Sequence, residues 1–359
     1  MDAQNHLDYL FKSLQHHPSP YIICEKDGTI KWVNLSAEFV FRLKKTDEIN
    51  FINFNFTQHS NTHGDEIAES YSTSIEINLR DMSFFIRTRI HLIPSNKSDF
   101  LLIEILCDSR ENLEALKETI SCIEFNRIDL AYQKQFDLNS GKLSGIEALL
   151  RLRDENNNII PNDKIIPQIE GENLFSLVVK ASLKKLSEIF IKKGELGFKD
   201  ITIYLNVSAH TIMHPEFNNI FSDFVDQHKI KNGEFGLEVT ETAELTNTNM
   251  AKQYLSKLKN KGIKIALDDF GAGYASLKYI KDLPLDVIKL DKQFTNDLDD
   301  DATSHLIKFV VNVCRSLSLE MIGEGIETEE QKKAMNSFGC TTGQGFLMHK
   351  PQFLDDLIK

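Results

Sequence analysis

At 359 residues the chain is longer than one ordinary small domain, and its length suggests about two. Its 41% hydrophobic and 26% charged residues are those of a soluble globular protein, and no apolar run approaches the roughly 18 residues needed to cross a bilayer. Forty-one basic against 53 acidic residues give a formal net charge of −12 with no long basic run, which argues against a nucleic acid polymer as partner. A phosphate-bearing small ligand stays open, because bound divalent ions can reverse the sign of an acidic site. The mixed polar start, "MDAQNHLDYLFKSLQHH", lacks the basic and apolar regions of a signal peptide. Five scattered cysteines (Cys24, Cys107, Cys122, Cys314 and Cys340) form neither a disulfide framework nor a zinc site, so the expectation is a cytoplasmic protein without a membrane partner.

Read in chain order, "YIICEKDGTIKWVN" from Tyr21 predicts a strand, an Asp27-Gly28 turn and a second strand. A short helical segment, "LSAEFVFRL", follows. Three strands rich in β-branched and aromatic residues come next, in "YSTSIEINLR", "MSFFIRTRIHLIP" and "DFLLIEILCD". This order, with the turn pattern of Asp27, Gly28, Ile30 and Asn34 and a closing strand ending at Asp108, resembles a PAS domain over residues 1–108. That resemblance implies a sensor whose ligand the sequence does not name, since no flavin- or haem-attachment motif is visible. Trp32 and the cluster Phe51, Phe54 and Phe56 read as core.

Residues 109–127 carry Leu113, Leu116, Ile120 and Ile123 at helical spacing without Pro or Gly. They predict a stiff helical connector or, equally, the first helix of the next domain. From residue 128 to 359 the pattern becomes alternating: "LSGIEALL", "ITIYLNV", "FGLEV", "IKIAL", "DVIKL", "LEMIG" and "TTGQGF" are separated by helical stretches such as "SLVVKASLKKLSEIF". About eight strands over about 230 residues predict an α/β fold with a TIM-like barrel. The competing open doubly wound sheet usually carries a Gly-rich phosphate loop after its first strand, and none appears here.

Nearly every one of these strands brings polar residues within it or at its carboxyl end: Glu147, Asn206, Glu238 with Glu241, Asp268 with Asp269, Lys289 with Asp291, and Glu324 with Glu327. Any one of them reads most simply as a helix N-cap. Their recurrence on successive strands, whose carboxyl ends converge on one face of a barrel, points to a site. Oxygen donors without a His or Cys cluster favour Mg²⁺ or Mn²⁺ over zinc. The adjacent Asp268 and Asp269 suit a pair of ions that activate water for phosphoryl displacement.

In order along the chain, "YQ", "EALLR", "NVS", "LEVTE", "DDFGAGYASL", "IKLD", "GEGIET" and "QGFLMHKP" make residues 128–359 resemble the EAL family of cyclic di-GMP phosphodiesterases. The resemblance implies a barrel with one antiparallel strand, hydrolysis of cyclic di-GMP to linear pGpG with two Mg²⁺ or Mn²⁺ ions, and a homodimer. It implies that Glu147, Asn206, Glu238 and Asp268 hold the first ion, and that Asp268 and Asp269 hold the second. Glu324 is then the general base or water-orienting group, and Lys289 the amine that positions water and offsets developing charge. Arg151 is a substrate-phosphate contact, with Gln133 and Gln344 around the dinucleotide. Glu241 and the stretch through Phe270, Gly271 and Gly273 form a loop linking the metal site to dimerisation.

Each reading has a plainer rival. Lys289 could be a solvated lysine, although its place between Ile288 and Leu290 favours an inward amine, and Glu327 reads as a capping or supporting residue. His210, His214 and His305 read as surface or capping residues. The chain departs from the family pattern at Lys134, Leu152, Lys164 and Ala272, none of them a ligand position, and it has no "GGDEF" segment. The rival function is a catalytically silent EAL module that binds cyclic di-GMP or a protein partner. A barrel acting on another phosphoester is the second rival.

Overall fold

The computed structural model describes residues 13–15, 19–25, 29–34, 37, 49–50, 70–79, 82–93, 100–105, 117–123, 125–162, 166, 175–198, 200–213, 215–240, 248–271 and 277–357. The chain divides into two compact units, one of Met1–Ile128 with Leu152–Val178, the other of Asp129–Arg151 with Val179–Lys359.

The first unit holds a six-stranded sheet of β1 (Tyr21–Glu25), β2 (Ile30–Val33), β3 (Ile49–Asn50), β4 (Ser70–Leu79), β5 (Met82–Ile93) and β6 (Phe100–Ile105). Its spatial order is β2-β1-β6-β5-β4-β3, and every pairing is antiparallel. Alternation sends Tyr21, Ile23, Trp32 and Leu102 into one packed cluster, as expected for Trp32. Asn34, with no exposure at all, acts as a four-way tie. Its Oδ1 accepts from the amides of Tyr21 and Ala37, and its Nδ2 donates to the carbonyls of Leu14 and Ser19. The helical segment after β2 is described only at Ala37, and Asp27, Gly28, Phe51, Phe54, Phe56 and Asp108 lie outside the described residues.

Of the connector, 117–123 is helical (α1), and residues before 117 lie outside the described residues. Arg127 follows it and is bound to the end of a later strand: its carbonyl accepts from the Arg153 amide at 3.0 Å, and its guanidinium donates to the Arg153 carbonyl at 2.9 Å. The stretch Leu152–Val178 thus shares a unit with α1 although it is distant in sequence.

The second unit is a barrel. Its strands are β7 (Ile128–Asp137), β8 (Leu143–Arg153), β10 (Thr202–Val207), β11 (Phe235–Thr240), β12 (Ile263–Phe270), β13 (Val287–Leu290), β14 (Glu320–Gly323) and β15 (Thr342–Gly343). They pair in the order β7-β15-β14-β13-β12-β11-β10-β8, and a β7–β8 pairing closes the ring. β7 runs antiparallel to β15, while the pairs from β8 round to β15 are parallel. This is the TIM-like barrel with one reversed strand expected from the sequence. Two further short strands are β16 (Gln352–Phe353), which pairs with β7, and, within the first unit, β9 (Ile159–Ile160), which pairs with Leu152 and Arg153.

The helices between strands are α2 (Phe175–Lys192), α3 (Ala209–Met213), α4 (Pro215–Gln227), α5 (Thr248–Asn260), α6 (Leu277–Asp282), α7 (Lys292–Asn296), α8 (Asp301–Ser316) and α9 (Glu329–Phe338), with α10 (Leu354–Leu357) at the end. Helix ends follow ordinary rules. Asp300 caps α8 by accepting from the Thr303 amide, and Thr328 with Gln331 forms a capping box on α9. Among the described residues no helix is long and apolar enough to cross a membrane.

Inside the barrel, Tyr204, Ala266, Val287 and Ile322 make one apolar layer. Gly236 belongs to it, since a Cβ there would run into the Tyr204 ring. Because side chains on a strand repeat every two residues, the next inward layer towards the carboxyl ends is dictated: Asn206, Glu238, Asp268, Lys289 and Glu324 stand two positions beyond Tyr204, Gly236, Ala266, Val287 and Ile322.

Candidate active site

The polar layer is buried. Glu238 has no exposure, Lys289 1%, Glu147 5% and Asp268 7%. At its centre the Lys289 ammonium donates to Glu238 Oε2 at 2.6 Å and lies 2.8 Å from Glu324 Oε1, 2.8 Å from Asp268 Oδ1 and 3.5 Å from Glu147 Oε2. The inward reading of Lys289 therefore holds, and the solvated one does not.

Register explains how these groups meet. Asn206 sits opposite Glu238 across β10 and β11, and Tyr204 opposite Glu147 across β10 and β8. Asn206 Nδ2 donates to Glu147 Oε1 at 2.7 Å, and Gln344 Nε2 donates to Glu147 Oε2 at 2.5 Å. Glu324 lies just past β14, its amide held by the Leu290 carbonyl and its own carbonyl accepting from Thr295 Oγ1.

Adjacent carboxylates on a regular strand would face opposite ways. At Asp268 and Asp269 they do not, because the β12–β13 register shifts between Leu267 and Phe270 and Asp269 adopts φ 53°, the left-handed region that Asp tolerates better than most residues. Gly271 follows with φ 95°, packed so closely on the Phe294 ring that a Cβ would collide with it. Two carboxylate trios result, Glu147–Glu238–Asp268 and Asp268–Asp269–Glu324, each able to bring one oxygen per residue within 4.8 Å of the others. Asp268 belongs to both.

Fully ionised, the five carboxylates against one ammonium would leave a surplus of four negative charges in a mostly buried site. The protonation equilibria record that cost. Burial pushes Glu324 up to about 8, only partly opposed by Lys289. Burial and then the neighbouring Asp268 push Asp269 up to about 6. Burial and the Glu147 charge raise Glu238 well above the usual carboxylate range. Glu147 goes the other way: burial would raise it, but Lys289 and the amide donors Gln344 and Asn206 together outweigh burial. Lys289 is held charged, for although burial works against it, Asp268, Glu147, Glu238 and Glu324 outweigh that penalty.

The residues fit divalent cations. Glu238 Oε1 is buried with no hydrogen-bond partner, and Asp268 Oδ1, though near Lys289, lies outside hydrogen-bond geometry. Such orphaned acceptors are rare in an interior. The donors are all oxygen, which suits Mg²⁺ or Mn²⁺.

Other expected residues sort themselves. Arg151 is half-buried on β8, four positions beyond Glu147 and so on the same face, with its guanidinium donating to the Leu150 carbonyl at 2.8 Å. Gln133 is buried on β7 and donates to the His349 carbonyl. Asp291 caps α7, accepting from the Gln293 amide, and the exposed Glu327 donates its backbone amide to Gln331 Oε1. His305 is exposed and its Nδ1 contacts the Asp301 carbonyl. Glu241, Ala272, Gly273 and Lys164 lie outside the described residues, as do His214 and the side chain of His210. No motif singled out Gln135, which is 1% exposed and donates to Gln344 Oε1. Its signal is a polar residue at a strand position that alternation assigns to the interior.

The chain belongs to the EAL domain family, whose model matches residues 75–351. It is 33% identical over 238 residues to the cyclic di-GMP phosphodiesterase PdeA of Borreliella burgdorferi, covering 65% of this chain and 35% of that protein. With the cyclic di-GMP phosphodiesterase PdeL of Escherichia coli it shares 31% identity over 220 residues, 61% of each. The solved structure of the MucR phosphodiesterase of Pseudomonas aeruginosa in complex with c-di-GMP matches with a TM-score of 0.61 at 29% identity, over 68% of this chain and 99% of that one. The chain spans about a third of the full lengths of PdeA and MucR, 35% and 37%.

Proposed function

We propose that the barrel is a phosphodiesterase that hydrolyses cyclic di-GMP to linear pGpG with two Mg²⁺ or Mn²⁺ ions. The observation that carries this reading is the pair of carboxylate trios sharing Asp268, with Lys289 at their centre. The relatives named as cyclic di-GMP phosphodiesterases supply the substrate class.

In this reading Glu147, Asn206, Glu238 and Asp268 hold one ion, and Asp268 and Asp269 hold the other. Bound there, the two ions would offset the surplus negative charge, lower the pKa of water and neutralise charge on the phosphoryl oxygens. The side chains do the rest. Glu324 orients the attacking water and takes its proton; its amide and carbonyl anchors hold the carboxylate against Lys289. The Lys289 ammonium, 2.8 Å from both Asp268 and Glu324, offsets negative charge as it develops on the phosphate. Arg151 offers a planar fork to a phosphate, and Gln133 and Gln344 border the dinucleotide.

The wider reading is a sensor-regulated homodimer. The antiparallel sheet with β1 beside β6 supports a PAS-like sensor at residues 1–108, joined by 109–127 to the enzyme at 128–359. Cytoplasmic placement accords with the buried cysteines Cys122, Cys314 and Cys340, which carry free thiols.

The test is chromatography of the purified protein's products from cyclic di-GMP with Mg²⁺. Conversion to pGpG supports the enzyme. Tight binding without turnover would favour the silent module, and turnover of a generic diester alone would favour the other barrel.

A further inference from the structure

We infer that Gln135 is a positioning residue: it fixes the orientation of the Gln344 carboxamide, and through it the ion-facing geometry of Glu147. The inference rests on the two-ion reading above and extends it to a side chain that touches neither ion nor substrate.

Gln344 Nε2 donates to Glu147 Oε2 at 2.5 Å and to Gln133 Oε1 at 3.0 Å, which uses both of its hydrogens. Its Oε1 accepts from Gln135 Nε2 at 2.9 Å. A carboxamide has nearly the same shape after a half-turn, and its terminal torsion is broad and roughly two-fold, so packing alone does not choose between the two orientations. Turned round, Gln344 would aim its oxygen at the Glu147 carboxylate and lose the bond that holds it. The donor on the far side makes the choice. That donor is Gln135, itself only 1% exposed.

The seating of Gln135 is equally specific. Gln133 and Gln135 stand two apart on β7, on one face, and bracket Gln344 between them. The Gln135 oxygen occupies the room left at Gly145, where a Cβ would collide with it. A buried amide costs stability unless its hydrogen bonds are made, so a polar side chain with 1% exposure is held by what it binds. With Asn206 on the other oxygen of Glu147, both oxygens are steered by amide donors. Outer partners of this kind typically change ion affinity about 10–100-fold when removed.

The experiment is titration of the full chain with Mn²⁺, following free Mn²⁺ by electron paramagnetic resonance. Gln135→Met keeps the shape and removes the amide, with Gln135→Leu as a second variant should the thioether not be accommodated. Thermal melts establish that each is folded. The expected result is Mn²⁺ affinity about 10–100-fold weaker than wild type, and a Gln135→Met/Gln344→Met double variant no weaker than Gln344→Met alone, because the first residue acts through the second. Wild-type affinity in folded Gln135→Met, even with a lowered melting temperature, would reduce Gln135 to packing and overturn the inference. Full additivity in the double variant would overturn it too. If the wild-type chain itself binds no Mn²⁺, the two-ion reading fails and this inference with it, a result distinct from either.

Discussion

Asn34 in the N-terminal sheet and Glu238 in the barrel are both polar, both without exposure, and opposite in what surrounds them. Asn34 makes four hydrogen bonds, one to nearby Ala37 and three to Leu14, Ser19 and Tyr21 at 13 to 20 positions away, so its polarity is spent on holding the fold. Glu238 has one oxygen on Lys289, one with no hydrogen-bond partner, and two carboxylate neighbours that repel it. A satisfied buried amide is structure; an unsatisfied buried carboxylate among its like has the chemistry to hold a cation. The contrast makes measurable statements, which differ in size.

The largest effects belong to the barrel. Asp268→Asn, in both trios, should lose Mn²⁺ binding and turnover together. Glu324→Gln should keep cyclic di-GMP binding while single-turnover rate falls by roughly two to four orders of magnitude, the scale of a lost acid–base group. Near-normal turnover in Glu324→Gln would assign the water to another residue.

Stability should respond in the opposite sense. Asn34→Ala removes four hydrogen bonds at once and should cost about 3 kcal/mol in denaturant unfolding while Mn²⁺ affinity stays put. Glu238→Gln should leave the ion-free chain as stable as wild type or more so, since it removes a repelled charge, while abolishing stabilisation by Mn²⁺. Equal destabilisation by the two would mean that Asn34 and Glu238 serve the fold alike.

The pH dependence has a definite sign. Glu324 at about 8 and Asp269 at about 6 are raised on folding, so the stability they lend the ion-free protein is present below the ordinary carboxylate range and is lost as pH rises through those values. Ions need the ionised forms. The rise in melting temperature on adding Mg²⁺ should therefore grow between pH 6 and 8; a rise independent of pH would contradict the proton–ion competition.

Smallest, and outside the barrel, is a Gly-Ser insertion in α1. It should alter any stimulus dependence of the rate and leave basal turnover intact. Identical behaviour of the insertion variant and wild type under every stimulus would make the connector passive.

Much of the site was legible because barrel strands turn sequence spacing into position. Ile288 and Leu290 flanking Lys289 were enough to aim the amine inward, and the ordered carboxylates marked the strand ends. What was not legible depends on contacts between distant residues. The "DD" pair gave no sign that a register shift and a left-handed Asp269 would turn both carboxylates to one side. Gln135 is 209 positions from the amide it orients. Asn34 was visible as part of a turn pattern, but its partners at Leu14, Ser19 and Tyr21 are set by the folded sheet.

The most direct test of the central claim is hydrolysis of cyclic di-GMP by the exhaustively chelated chain, followed by Mg²⁺ readdition with bound ions counted. The account predicts no pGpG without ions, recovery with Mg²⁺ but poorly with the larger Ca²⁺, and two ions bound per chain at full rate. Undiminished hydrolysis after chelation, or full activity with no ion bound, would contradict it.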